Sequence, residues 1–183
     1  MDCLEEDRLA DKKFGSTRRG IAPVYADKYM KKAFRMGELL NPDRLNRRIA
    51  DILEWKNLTV AGGYGHDPVQ VEEIVEYFKK YGEPLKDYVC DTGLYLNDAN
   101  AKGKNIMFEA QLGALRDIDF GIYPYTSSSS TIAAYAPIGA GVPNLKLNRS
   151  IGIMKAYSTC VGEGPFTAEY FGEPAEKLRK AGG

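Results

Sequence analysis

Apolar side chains recur at helical spacing between residues 41 and 102, and this pattern predicts a helical subdomain there. Asn41 followed by Pro42 places a capping residue before a proline at the first helical position, which signals the start of a helix. The apolar positions that follow lie on one helical face, so we expect them in the core. They are Leu45, Ile49, Ile52 and Leu53.

Two further helices are predicted after this one. Asp67-Pro68 repeats the start signal, with Gln70 placed as in a capping box, and Gly82 is a typical stop. Pro84 opens the third helix, although Gly93 inside it is a poor helix former. The expected core positions of the second helix are Val71, Ile74, Val75 and Phe78, and those of the third are Leu85, Tyr88, Val89 and Leu96.

The pattern changes after residue 103. Residues 105–108 and 150–157 are predicted to be short buried strands, and residues 111–148 between them are rich in Gly, Ser, Pro and Ala. Aromatic residues within this long segment argue against disorder and favour a binding surface. The arrangement predicts an α/β fold, with part of a mainly parallel sheet, long ligand-binding loops and the helical subdomain. The chain is predicted to have three parts: an N-terminal segment (1–40), the helical subdomain (41–102) and the α/β segment with the long loops (103–183).

Composition adds few constraints. The chain has 183 residues, 44% of them hydrophobic, which suits one domain with a real core. Basic and acidic residues number 25 each, so we expect neither nucleic acid nor a membrane surface as a partner. The charge is nevertheless uneven, because residues 11–35 carry eight basic residues and two acidic ones. That excess is typical of a solvated face and equally of an anion site.

Other residue types point to a cytoplasmic protein. The three cysteines are odd in number and too widely spaced for a zinc site, so we expect reduced, partly buried thiols. The only histidine, His66, lies in a glycine-rich stretch and is expected at the surface. No apolar run approaches the ~20 residues that span a bilayer, and the acidic start does not resemble a signal peptide.

Three polar loops are candidates for chemistry. Residues 14–20 combine hydroxyls, glycines and two arginines, as a phosphate site would, although such a stretch is also a common turn. Residues 125–131 carry consecutive hydroxyls that could wrap an anion or form a polar linker. The two glycines within residues 161–166 could let the backbone approach a ligand or simply form a turn. Asp117 and Asp119 could form an acid–base pair or a metal site, but structural capping is the favoured interpretation.

Together these segments resemble the adenylosuccinate synthetase family. Residues 15–28 resemble the family stretch Gly-Thr-Thr-x-Arg-Gly-Ile-Gly-Pro-x-Tyr-x-Asp-Lys. Residues 108–125 resemble Phe-Glu-Gly-Ala-Gln-Gly-x-x-x-Asp-Ile-Asp-x-Gly-Thr-Tyr-Pro-Tyr, and residues 152–166 resemble Gly-Ile-x-Lys-Ala-Tyr-x-Thr-Arg-Val-Gly-x-Gly-Pro-Phe. The resemblance depends on the amino-acid sequences of three long motifs and on their order along the chain. It is strong over residues 14–40 and 104–172.

The resemblance implies roles for individual residues. It implies an active-site role for Lys28 and places Lys31 where the family has an arginine that reaches the other subunit of a homodimer. Lysine keeps the charge but loses the bidentate fork. The family's substrate-contacting glutamine falls on Leu112, and whether Gln111 replaces it stays open. Cys160 stands in place of an arginine and Ala22 in place of a glycine. The residues implied to bind inosine monophosphate (IMP) are Ser16, Thr17, Lys31, Gln111, Ser127, Val161 and Gly162.

The resemblance also implies a reaction in which IMP, L-aspartate and GTP give adenylosuccinate with Mg²⁺ present. The family's glycine-rich phosphate loop, catalytic histidine motif, aspartate-binding loop and guanine-reading motif do not occur in this sequence. We therefore expect a central portion of such an enzyme, inactive alone and without the Mg²⁺ ligands. The alternatives are an inactive nucleotide- or anion-binding module and a dimerisation fragment. In each binding hypothesis, the Thr17 and Ser127 hydroxyls converge on one monophosphate.

Overall fold

Helices joined by long irregular segments make up this computed structural model, which describes residues 1–160 and 162–182. The α-helices are α1 (Asp2–Leu9), α2 (Ile21–Met30), α3 (Pro42–Asn57), α4 (Val71–Tyr77), α5 (Thr92–Ala101), α6 (Ala136–Gly139) and α7 (Glu173–Gly182). Short 3-10 and π turns extend several of them. Within the described residues no helix is both long and apolar enough to cross a bilayer.

Helix α3 forms the centre of the core, as its sequence predicts. The Asn41 side chain accepts a hydrogen bond of 3.0 Å from the Arg44 N–H, so the predicted cap is confirmed. All four predicted core positions of α3 are buried, and Ile49 is 0% exposed. The side chains packed against this stripe come from the flanking segments: Phe34, Leu39, Val69, Val71, Ile74, Val75, Phe78 and Val89.

The second predicted helix starts later than its signals indicate. Helix α4 begins at Val71 rather than Pro68, and the Gln70 side chain donates to the Pro68 carbonyl instead of completing a capping box. The cause is Asn57, whose side chain makes two hydrogen bonds of 2.9 Å with the backbone of Val69. This tertiary pairing holds the residues before α4 outside the helix.

The third predicted helix is divided in two. A 3-10 helix covers Glu83–Tyr88, and α5 starts afresh at Thr92 because the Asp91 side chain accepts from the Leu94 N–H at 2.9 Å. Two of the expected core positions are wrong, since Leu85 is 45% and Tyr88 83% exposed. A 3-10 turn rotates side chains differently from an α-helix, so the single predicted stripe is broken.

The prediction of an α/β fold with a mainly parallel sheet is wrong for the described residues, which contain helices and irregular backbone but no strand. The predicted strands at 105–108 and 150–157 have no paired backbone ladder there. Neither segment is buried, since Ile106 and Phe108 are only half-buried while Met107 is 87% and Ile153 95% exposed. A strand requires partners for its N–H and C=O groups, and an apolar run alone does not provide them.

A smaller correction concerns the cysteines, while the C-terminal helix α7 continues to Gly182 and buries Ala175. All three cysteines are exposed rather than partly buried. His66 is exposed, as predicted.

Candidate functional site

The 14–20 loop has an unusual backbone that leads directly into α2. Gly15, Arg18 and Gly20 have positive φ angles of 72°, 57° and 79°, so the chain turns sharply within six residues. Gly20 is the N-cap of α2 and no side chain caps this helix within the described residues. The loop therefore ends at a helix N-terminus, whose N–H groups and dipole favour anions.

The two hydroxyls predicted in this loop differ in their surroundings. Ser16 Oγ donates to an Asp2 carboxylate oxygen at 2.8 Å and accepts from the Arg18 N–H at 3.1 Å. Thr17 is exposed at the outer turn of the loop, and its hydroxyl makes no hydrogen bond within the described part of the chain. Ser16 thus has a structural task, whereas Thr17 faces solvent.

Asp117 organises the second loop. Its side chain is completely buried and accepts four backbone N–H groups, from Asp119 (3.0 Å), Phe120 (3.1 Å), Thr131 (2.6 Å) and Ile132 (3.3 Å). Burial raises the pKa of this carboxyl, but the four donors outweigh it and the pKa lies below its ordinary value. The capping interpretation of Asp117 is confirmed.

Ser127 and its neighbours form what we call the hydroxyl loop, residues 125–131. The Ser127 and Ser129 hydroxyls are 2.9 Å apart, and the Ser127 N–H donates to the Arg116 carbonyl at 2.8 Å. Thr131 Oγ1 donates to the Gly113 carbonyl at 2.6 Å. Gln111 is exposed and lies two residues before Gly113 in the sequence.

All three polar loops meet at one place. The rings of Phe14 and Tyr125 contact each other edge to face with centroids 6.2 Å apart. The Phe14 carbonyl accepts from the Glu163 N–H at 3.0 Å. A Cβ atom built on Gly15 would lie 2.7 Å from Gly162 Cα, so these loops can approach only because both residues are glycines. The structure brings together the segments that contain Ser16, Thr17, Ser127 and Gly162.

Arg116 is a residue of this junction that sequence reasoning missed. Its guanidinium donates to the Tyr125 carbonyl and contacts Cys160 Sγ, so it joins the hydroxyl loop to the segment before Gly162. The one available signal was an arginine directly after the apolar run from Leu112 to Leu115. Val161, a predicted site residue, lies outside the described residues.

Lys28 lies in the last turn of α2 and Lys31 is its C-cap residue, so both lie at the end of the helix opposite to the 14–20 loop. The Lys28 ammonium lies 5.9 Å and 5.7 Å from the ring centroids of Tyr25 and Tyr29. Both lysines are exposed, and no hydrogen bond or ion pair joins either side chain to the hydroxyl loop within residues 1–160 and 162–182.

Two polar contacts attach α2 to the core helix α3. Lys56 Nζ lies 2.5 Å from Asp27 Oδ1, and both side chains are mostly buried, with exposures of 14% and 15%. Arg48 Nη2 donates to the Lys31 carbonyl at 2.9 Å. The position of Lys28 and Lys31 is therefore set by the helical core.

No group of three or more His, Cys, Asp or Glu side chains in the described residues is arranged to hold a metal ion. The residues present do not fit the Mg²⁺ that the resemblance implies.

The fold and its loops define a helical protein in which three polar loops, carrying hydroxyls and leading into a helix N-terminus, converge. The family model for adenylosuccinate synthetase matches residues 1–183. The chain belongs to the adenylosuccinate synthetase family.

Curated adenylosuccinate synthetases are similar in sequence to this chain over its whole length. It is 45% identical over 182 residues to the adenylosuccinate synthetase of Symbiobacterium thermophilum and 40% identical over 182 residues to that of Ligilactobacillus salivarius. In both cases the alignment covers 100% of this chain and 42% of the relative. The solved structure of fully ligated adenylosuccinate synthetase from Plasmodium falciparum is 30% identical, with a TM-score of 0.88 over 99% of this chain and 42% of that one. The chain thus spans less than half the length of these relatives.

Proposed function

We propose that this chain supplies the IMP-phosphate site of an adenylosuccinate synthetase, the cytoplasmic purine-biosynthesis enzyme that joins L-aspartate to IMP with GTP. The observation that carries this proposal is the junction of the 14–20 loop, the hydroxyl loop and the turn at Gly162. Hydroxyls and backbone N–H groups that converge beside a helix N-terminus suit a monophosphate.

In this proposal the Thr17 and Ser127 hydroxyls donate to the phosphate, and the first turn of α2 adds backbone N–H groups and its dipole. Gln111, Val161 and Gly162 lie against the rest of the nucleotide. Ser16, which the resemblance also assigns to IMP, acts indirectly because its hydroxyl already donates to Asp2.

These residues contribute orientation, because they fix the purine nucleotide by its phosphate and ribose. Lys28 has the active-site role that its motif implies. We further propose a homodimer in which the exposed Lys31 adds positive charge to the partner's IMP. Lysine at this position contributes a point charge rather than a bidentate contact. GTP, L-aspartate and Mg²⁺ would be bound by motifs that this sequence does not contain.

Calorimetric titration of the chain with IMP and with inosine tests the site. We expect IMP to bind, inosine to bind more weakly, and Thr17→Val and Ser127→Ala each to weaken IMP binding about tenfold, because each variant removes one donor to a charged group. Thr92→Val is a matched control at the start of α5, outside the three loops, and is expected to leave IMP affinity unchanged. Equal affinities of the Thr17, Ser127 and Thr92 variants would contradict the proposed site.

Phosphate release in the presence of IMP, GTP and L-aspartate separates the possible roles. We expect no turnover by this chain alone, because the proton and phosphoryl chemistry belongs to the missing motifs. IMP binding without turnover agrees with a portion of the enzyme and with an inactive nucleotide-binding module. Absence of IMP binding would favour a dimerisation fragment, and sedimentation would then report the dimer.

A further inference from the structure

Helix α1 directs two carboxylates at the 14–20 loop. Asp2 and Glu6 are four residues apart and so share one face of α1. Glu6 is only 5% exposed, which is rare for a glutamate that has no compensating partners. Its partners are backbone groups: Oε1 accepts from the Phe14 N–H at 3.3 Å and Oε2 from the Gly15 N–H at 3.2 Å.

Asp2 holds the other end of the same loop. Its Oδ2 accepts from the Gly20 N–H at 2.7 Å and its Oδ1 from the Ser16 hydroxyl at 2.8 Å. Between these anchors Arg18 holds a positive φ of 57°, which is unfavourable for a residue with a side chain, so contacts from outside the loop help it to keep its shape.

We propose that Asp2 and Glu6 are positioning residues, which set the 14–20 loop in the shape that accepts a nucleotide monophosphate. The proposal rests on the proposed function of that loop. Glu6 accepts a hydrogen bond from the Gly15 N–H at the start of the loop, and Asp2 accepts one from the Gly20 N–H at its end. Thr17, between these two anchors, stays exposed. They act through the loop backbone and do not touch the phosphate.

Charge repulsion and loop positioning predict opposite changes in IMP affinity when the carboxylate charge is removed, so the direction of the change tests the proposal. Two carboxylates near a phosphate repel it, so removing their charge would tighten binding if repulsion were their main effect. If positioning is their main effect, removing the charge weakens binding. An amide at position 6 offers a single acceptor oxygen and directs an NH₂ group at one of the two backbone N–H groups.

The experiment compares Glu6→Gln and Asp2→Asn with Glu5→Gln by calorimetry with IMP and with inosine. Glu5 lies on the same helix but bonds Arg8 and Tyr64 rather than the loop. We expect IMP affinity to fall at least about tenfold, or ~1.4 kcal/mol, in the first two variants and to change less than about twofold in the control. Inosine, which has no phosphate, should bind all proteins equally, whereas a general structural defect would weaken both ligands.

Amide hydrogen exchange at Gly15 and Gly20, measured by NMR without ligand, gives a second readout. Exchange at Gly15 should accelerate in Glu6→Gln and exchange at Gly20 in Asp2→Asn. Tighter or unchanged IMP binding in these variants would overturn the proposal, as would equal weakening in Glu5→Gln. If the unsubstituted chain binds no IMP, the proposed function fails for this chain, and unchanged exchange at both glycines would then reject the positioning role as well.

Discussion

Replacing Ile49 with alanine measures how strongly the α3 core holds the protein together. Ile49 is 0% exposed and packs with Leu39, Leu45 and Leu53. The substitution removes three buried carbons, about 2.4 kcal/mol at ~0.8 kcal/mol per methylene. The surrounding leucines cannot fully close the gap, so the cavity raises the expected loss in free energy of unfolding to about 3–4 kcal/mol.

Urea denaturation followed by far-UV circular dichroism is the assay, with the m-value compared between variants. Ile49→Val removes one carbon and should cost about 1 kcal/mol. Ile153→Ala is the control, because Ile153 is 95% exposed and its truncation should cost less than about 0.5 kcal/mol. A loss for Ile49→Ala no larger than that for Ile153→Ala would refute the assignment of the core to α3.

Three further predictions concern polar groups. Lys56→Met removes the ion-pair partner of the mostly buried Asp27. It should lower the free energy of unfolding by about 1–3 kcal/mol, which lies between the values for exposed and for buried ion pairs. A double-mutant cycle with Asp27→Asn measures the coupling energy of the two side chains. Asp117→Asn replaces an anionic acceptor of four N–H groups and should accelerate amide exchange in residues 119–132. Hydrogen bonds from Arg8 and, to a smaller extent, from Tyr64 lower the pKa of Glu5 from 4.5 to about 2. The contribution of Glu5 to stability is therefore present above pH 4.5 and is lost as the pH falls towards about 2. Tyr64→Phe should move that loss of stability to higher pH in acid titrations.

Each of these three predictions has an outcome that would contradict it. Additive effects of the Lys56 and Asp27 substitutions would show that the pair is not coupled. Unchanged exchange in Asp117→Asn would remove this carboxylate from the organisation of the hydroxyl loop. An acid transition of the same midpoint in Tyr64→Phe would contradict the role of the Tyr64 hydroxyl in lowering the pKa of Glu5.

Local signals predicted α3 correctly because every component of that helix is local. The Asn41 cap acts on a residue three positions away, and the apolar stripe follows from the helical period alone. The start of α4 was wrong because Asn57, twelve residues before Val69, binds its backbone. No propensity or capping rule contains such a contact.

The predicted strands failed for a related reason. The apolar runs at 105–108 and 150–157 were read as buried, but burial and strand pairing both need a second surface. In the described residues that surface is absent, and Ile153 is exposed.

The three polar loops were identified from the sequence, but the way in which they meet was not. Motifs placed Thr17, Ser127 and Gly162 on three polar loops, and the structure brings these loops together through Phe14, Tyr125 and Gly15. Whether these residues bind IMP stays a prediction. The roles of Arg116, Asp2 and Glu6 could not be read from the chain, because their partners are distant in sequence and no motif links them.

The order of residues alone carried the family resemblance, the central helix and the identity of the three loops, because motifs, caps and periodicity are properties of neighbouring residues. The tertiary structure decided where α4 starts, that the described residues form no sheet, and which carboxylates hold the 14–20 loop. Those features depend on groups that are far apart along the chain and interact only after folding, when each buried polar atom must find its partner in space.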